Sequence, residues 1–143
     1  MTIGRILTAK GRDVITTQPH RMLADVAEVL VTKNIGAVVV VDDQGSMIGI
    51  LSERDIVRAF TKRGTAVFNE AVSMHMTADV IATSEDESVY AAMEKMTNER
   101  SRYLPVIRDA RLVGLVSIGD MVKHRLAECE YEHKAMREYI ATA

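Results

Sequence analysis

Short apolar runs rich in β-branched residues alternate along this chain with stretches whose apolar positions recur every three or four residues. That is the pattern of buried strands interleaved with amphipathic helices. Residues 2–7 (Thr-Ile-Gly-Arg-Ile-Leu) predict a short capped helix, followed by the turn Lys10-Gly11-Arg12-Asp13 and a brief strand over 14–16. Beyond a Gln18-Pro19 turn, Met22, Leu23, Val26, Ala27, Val29 and Leu30 mark the apolar face of a helix ending near Lys33. Residues 37–41 carry four consecutive valines and predict a strand buried on both faces. Asp42-Asp43-Gln44-Gly45 then turns the chain into a second strand over 47–51, and a helix from Arg54 to about Lys62 closes the unit.

From Val72 the same order returns: a short helix over 72–76, a strand at Val80-Ile81, a helix over 88–100, strands over 103–107 and 112–116, and a long final helix from Ile118 to about Tyr139. The halves overlay without a gap from Val14 on Val80 to Asp43 on Asp109; after a turn one residue shorter, Gly49 overlays Gly114 and Asp55 overlays Asp120. The expected fold is therefore α+β: two pseudo-symmetric units, each short helix-strand-helix-strand-strand-helix, packed face to face through their sheets, with a helical tail. The repeats are placed at 1–63 and 64–128 and the tail at 129–143, with Lys62-Arg63-Gly64-Thr65 as a linker too short for independent motion. Met121, Val122, Leu126, Cys129, Met136 and Ile140 fall near one face of the last helix, which either packs on another subunit or stands as a solvated tail.

The most informative stretch is Gly49-Ile50-Leu51-Ser52-Glu53-Arg54-Asp55, repeated as Gly114-Leu115-Val116-Ser117-Ile118-Gly119-Asp120. In each, an apolar run ends at a serine placed to cap a helix whose first turn holds an aspartate, a variant of the capping box. The oxygens also lie at the positive end of the helix dipole, where a polar ligand docks. The rest of the composition narrows the function. A net charge of −2 and 4% aromatic residues with no Trp disfavour nucleic-acid binding. His20, His75, His124 and His133 lack paired metal spacing, the lone Cys129 has no basic neighbour, and no Walker-type or G-x-G-x-x-G loop occurs. No catalytic residue or metal is expected. With no signal-like or membrane-spanning segment and no possible internal disulfide, the cytoplasm is the expected compartment.

The ordered set of Asp13-Val14-Ile15 and Asp79-Val80-Ile81, Asn34-Ile35-Gly36-Ala37-Val38-Val39-Val40 and Arg102-Tyr103-Leu104-Pro105-Val106, and the two S-x-x-D segments resembles a tandem pair of cystathionine β-synthase (CBS) domains, a Bateman module, of the small stand-alone bacterial type. The resemblance runs from about Ile3 to Leu126. It implies a homodimer and two clefts between the paired domains that bind an adenosine nucleotide (AMP, ADP, ATP or NAD-type) or S-adenosylmethionine, with regulation of an unidentified client protein. Carried over, the first cleft uses Ser52 and Asp55 with Val80, Ile81, Arg102 and Tyr103; the second uses Ser117 and Asp120 with Val14, Ile15, Gly36 and Ala37.

The chemistry suits those roles. An ionised aspartate accepts hydrogen bonds from both vicinal ribose hydroxyls. Adenine would lie between Ile50 and Ile81 in the first cleft and between Leu115 and Ile15 in the second, positions that core packing alone also explains. Arg102, Arg100 and Arg54 are the phosphate candidates of the first cleft; the second offers the backbone at Gly36 and, at most, Lys33. Tyr103 stands where many relatives carry histidine, and Val39 where the second copy has Pro105. A dimerisation or docking module with empty clefts is the competing expectation.

Overall fold

Two helices of this chain stop in the same way, and their ends set the repeat. After α2 (Leu23–Lys33) comes Asn34 at φ 53°, and after α4 (Val89–Glu99) comes Arg100 at φ 54°, both left-handed. In each case the next amide reaches back to the last turn, Ile35 N–H to the Leu30 carbonyl and Ser101 N–H to the Met96 carbonyl, both 3.0 Å, which closes a Schellman motif. Asparagine tolerates this conformation, whereas a side chain such as Arg100 pays about 1–2 kcal/mol for it. Each stop delivers the chain into a strand: β2 (Ala37–Val41) in the first half, β4 (Tyr103–Arg108) in the second.

These strands pair antiparallel with β3 (Met47–Ser52) and β5 (Arg111–Ser117), Val39 opposite Ile50 and Pro105 opposite Leu115. Both ladders shift register next to the turn, between Val40 and Val41 and between Val106 and Ile107. The turns themselves differ. The longer one has positive φ at Gly45, the shorter one at both Asp109 and Ala110, so the deleted residue changed the turn's backbone class. The architecture is the expected α+β pair of units, with residues 1–142 described by the computed structural model.

The expected strands at 14–16 and at Val80-Ile81 need correction. In the first unit β1 is Thr16–Thr17, parallel to β2 with Thr16 beside Val39; in the second no strand forms at Val80-Ile81, and only Thr83 bridges to Val106. Proline explains the difference. Val39 N–H donates to the Ile15 carbonyl at 3.2 Å, but Pro105 at the matching position has no N–H, so Ile81 loses the bond that would extend the ladder.

The expected linker at 62–65, too short for independent motion, is helical. Helix α3 (Glu53–Arg63) runs straight into a 3-10 helix, Gly64–Asn69, whose Val67 is fully buried, and a further 3-10 turn covers Val72–Met74. Gly64, at φ 75°, makes the break between them. The expected helix over 72–76 is thus shorter and tighter.

The two hydrophobic cores are assembled across the sequence order. Ile3, Ile6 and Leu7 of α1 (Ile3–Lys10) pack with Val89, Ala92, Met96, Leu104, Val106, Val116 and Met121, the core of the second half. Val67 and Val72 pack with Leu23, Val26, Leu30, Val38, Val40, Leu51 and Ile56, the core of the first. Backbone stitches fix both exchanges: Ile3 N–H to Glu87 O and Val89 N–H to Met1 O on one side, Leu23 N–H to Glu70 O and Val72 N–H to Arg21 O on the other. The approach of α1 to β5 is close enough that a Cβ on Gly114 would lie 2.7 Å from a Leu7 methyl. Gly114→Ala is therefore expected to destabilise the protein by about 1–3 kcal/mol in a denaturant titration, the range for overpacking a buried contact.

Helix α5 (Ile118–Thr142) is a single unbroken helix of 25 residues. Met121 is buried, but Leu126, Tyr131, Met136, Tyr139 and Ile140 are exposed.

Candidate functional site

At the junction of β3 and α3, Ser52 keeps an extended backbone and its hydroxyl accepts the Asp55 N–H at 3.3 Å, while Asp55 Oδ2 accepts the Ser52 N–H at 3.0 Å. At the junction of β5 and α5, Asp120 N–H meets Ser117 Oγ at 3.1 Å and Ser117 N–H meets Asp120 Oδ2 at 2.8 Å. Both S-x-x-D segments are therefore reciprocal caps. A carboxylate has two oxygens, however, and capping uses one. Asp55 Oδ1 has only the Arg58 guanidinium beside it, at 3.6 Å.

Asp55 lines a cavity of about 610 Å³ between the two halves, within the size range of small-molecule sites. The predicted first-cleft residues converge here: Ile50, Ser52, Arg54 and Asp55 from the first half, Val80, Ile81, Arg100, Arg102 and Tyr103 from the second. The cleft is built by exchange. Ile50 N–H and C=O pair with Thr77 at 2.9 Å each, which brings residues 77–81 alongside β3. Because Pro105 has no N–H, the Ile81 carbonyl has no protein donor among the described residues, although its side chain also packs on the second core.

Four arginines (Arg54, Arg58, Arg100, Arg102) face four carboxylates (Glu53, Asp55, Asp79, Glu99) around the cavity, so its formal charge balances. Sequence reasoning missed Glu53, Arg58, Thr77, Asp79 and Glu99, because cleft lining by exposed polar and charged residues leaves no periodic signal. Burial raises the Tyr103 hydroxyl above its ordinary pKa, and the Glu53 and Asp120 carboxylates add to this, against Arg102. Tyr103 therefore stays a neutral donor. It sits against Gly36 so closely that no Cβ fits there.

The second set of predicted residues is arranged differently. Ala37 is buried in β2; Val14 and Ile15 are half-buried, Ile15 packing against the first core; Gly36 abuts Tyr103; and Lys33 is exposed at the end of α2. Across Leu115 and Asp120 lies Lys10, the last residue of α1. Its ammonium donates to Asp120 Oδ2 at 2.7 Å and to the Leu115 carbonyl at 2.9 Å. Lys10 is a cation beside Asp120 that the sequence did not reveal, hidden because its partners are more than a hundred positions away.

Burial raises the Asp120 carboxyl, but hydrogen bonds from Lys10 and Ser117 and the Lys10 charge outweigh it, and its pKa lies below the ordinary value. A carboxyl depressed on folding adds stability that is fully present above the unfolded carboxylate pKa and is lost as pH falls through the folded one. Acid titration of the wild type should therefore show a loss below the ordinary carboxylate range that Asp120→Asn reduces, as read by thermal unfolding at successive pH values. Among the described residues no group of three or more His, Cys, Asp or Glu could hold a metal ion, and no helix is long and apolar enough to cross a membrane.

Comparison with known proteins places this geometry. The family model described as "CBS domain" matches residues 6–62 and 71–127. The chain is 35% identical to an uncharacterized 17.7 kDa protein of Acidianus ambivalens, over 85% of this chain and 71% of that protein. Its structure is similar to the CBS-domain containing protein ATU1752 from Agrobacterium tumefaciens, with a TM-score of 0.85 and 40% identity over 87% of this chain and 92% of that one. It is also similar to the CBS domain pair of protein MJ0100 in complex with 5′-methylthioadenosine and S-adenosyl-L-methionine, with a TM-score of 0.80 and 26% identity over 90% and 98% of the two chains.

Proposed function

The chain belongs to the CBS domain family, and from that premise we propose that it is a regulatory sensor that binds an adenosine-containing ligand in the cleft between its halves. The observation that carries this reading is the cavity between the halves lined by Asp55, whose capping role engages one carboxylate oxygen and leaves the other over. That oxygen accepts from the ribose hydroxyls, Ile50 and Ile81 flank the adenine, and the Ile81 carbonyl accepts from its exocyclic amino group. Arg102, with Arg100 and Arg54, meets a phosphate. Both ligands of the MJ0100 pair contain adenosine, which supports the ligand class and leaves AMP, ADP, ATP, NAD-type dinucleotides and S-adenosylmethionine as the candidates. No catalytic step is assigned to these residues. The ligand acts by linkage, enriching whichever arrangement of the halves holds it better.

A thermal-shift panel of those compounds with GTP as control tests the reading. A ligand at a hundred times its dissociation constant stabilises by ~2.7 kcal/mol. A shift with adenosine compounds supports it, and none with any of them at millimolar concentration removes it.

The exposed apolar side chains of α5 favour a second reading, homodimerisation or client docking that needs no ligand. Light scattering with and without nucleotide separates the two, since the second reading requires assembly that cleft substitutions leave unchanged.

A further inference from the structure

The aspartate and the early-strand carbonyl that the first cleft holds out to a ligand are both engaged within the chain in the second. The Asp55 carboxylate is approached by a loosely placed arginine of its own helix, at 3.6 Å on Oδ1, whereas the Asp120 carboxylate is met from across the fold by the Lys10 ammonium, at 2.7 Å on Oδ2, the oxygen that also accepts the Ser117 N–H. Among the described residues the Ile81 carbonyl has no protein donor, whereas the matching Ile15 carbonyl receives Val39 N–H at 3.2 Å. The Leu115 carbonyl is bonded to the same Lys10 ammonium at 2.9 Å, while its counterpart at Ile50 is bonded to Thr77 N–H, so here the clefts differ in the donor and not in occupancy.

We infer that Lys10 is an internal competitor for the second cleft: its ammonium is paired with the Asp120 carboxylate that a ribose would need as its acceptor. The chain then loads one adenosine ligand, in the first cleft, and takes a second only by displacing Lys10. This inference rests on the function proposed above and adds what that reading leaves open, the order in which the clefts fill. The sequence repeat alone predicts equal clefts, since Ser52 and Asp55 have their counterparts in Ser117 and Asp120. The inequality comes from one residue of the exchanged helix α1, which has no counterpart reaching Asp55.

The size of the competition follows from exposure. The side chains of Lys10 and Asp120 are 39% and 23% exposed. A pair this accessible to water is weakened by solvent and salt, so its displacement handicaps the second cleft by roughly five-fold in affinity and does not seal it. Lys10 is thus a specificity-determining residue for which cleft is used.

Adenosine is the right probe, because an uncharged ligand gains nothing from the cation it displaces. Calorimetric titrations would compare the wild type, Lys10→Met, Lys10→Arg and the double variant Lys10→Met/Asp120→Asn. One tight site and a weaker one are expected for the wild type and for Lys10→Arg, with the weaker site tightening as salt screens the pair. Lys10→Met is expected to tighten that second site about five-fold and to remove its salt dependence; in the double variant the gain disappears because the ribose acceptor is gone. Lys10→Gln replaces Lys10→Met should the latter lose its cooperative thermal transition. Binding at the first cleft with the second site unchanged in Lys10→Met, or two equal sites in the wild type, overturns the inference alone. Absence of adenosine and AMP binding in every protein overturns the proposed function and this inference together.

Discussion

Leu7→Ala is expected to cost about 2–5 kcal/mol, the range for truncating a fully buried leucine where the surroundings cannot collapse into the space. Against a total stability of about 5–15 kcal/mol for a typical domain, that is a large share. The position of the damage matters more than its size. Leu7 lies in the first tenth of the chain, yet its neighbours are Leu104, Val106, Val116 and Gly114 of the second sheet. Amide exchange in the variant should therefore accelerate in α4, β4 and β5 well before it does in α2, β2 and β3. Equal acceleration in both halves, or loss confined to the first, would contradict the exchanged cores.

Asp55→Asn is expected to weaken binding of a ribonucleotide in the first cleft by about a hundred-fold or more. Charge-assisted hydrogen bonds contribute roughly 1.5–3 kcal/mol each, and two of them reach the 2.8 kcal/mol that corresponds to about two decades of affinity. The substitution is mild for the fold. Its amide oxygen still accepts the Ser52 N–H, so the cap of α3 persists while the group turned to the ligand becomes a donor. Calorimetry with a ribonucleotide and its 2′-deoxy analogue distinguishes the causes: the wild type should prefer the ribose form, and the variant should show little preference. Asp120→Asn should leave the first cleft's affinity unchanged. If Asp55→Asn binds as the wild type does, S-x-x-D is a helix cap and nothing more.

Local pattern carried much of this structure, and contacts distant in sequence account for what it missed. The four valines of β2, the turn at Asp42 and the serine caps are recorded within a few residues, so strand, turn and helix could be placed from their own neighbourhoods. Val80-Ile81 misled because this half-buried apolar pair lines the cleft, with Ile81 packed on the second core, and does not enter a ladder, and because the residue that prevents the ladder is a proline 24 positions further on. Residues 62–65 read as a linker, and only the pocket waiting for Val67 in the first core gives the following 64–69 segment its shape. Lys10 is the sharpest case. A lysine at the end of a short helix is ordinary in sequence, and its importance to Asp120 exists only because α1 docks on the other half.

The crossed docking of α1 and of residues 64–76 has a consequence for any shortened form of the protein. A polypeptide ending at residue 63 would carry a helix with no socket and a socket with no plug, and so would its complement. Neither should behave as a free-standing body, yet mixed in one tube they should rebuild the parent shape. The peptide bonds joining the repeats therefore act mainly as a tether: they replace a concentration-dependent encounter between two fragments by a permanent one.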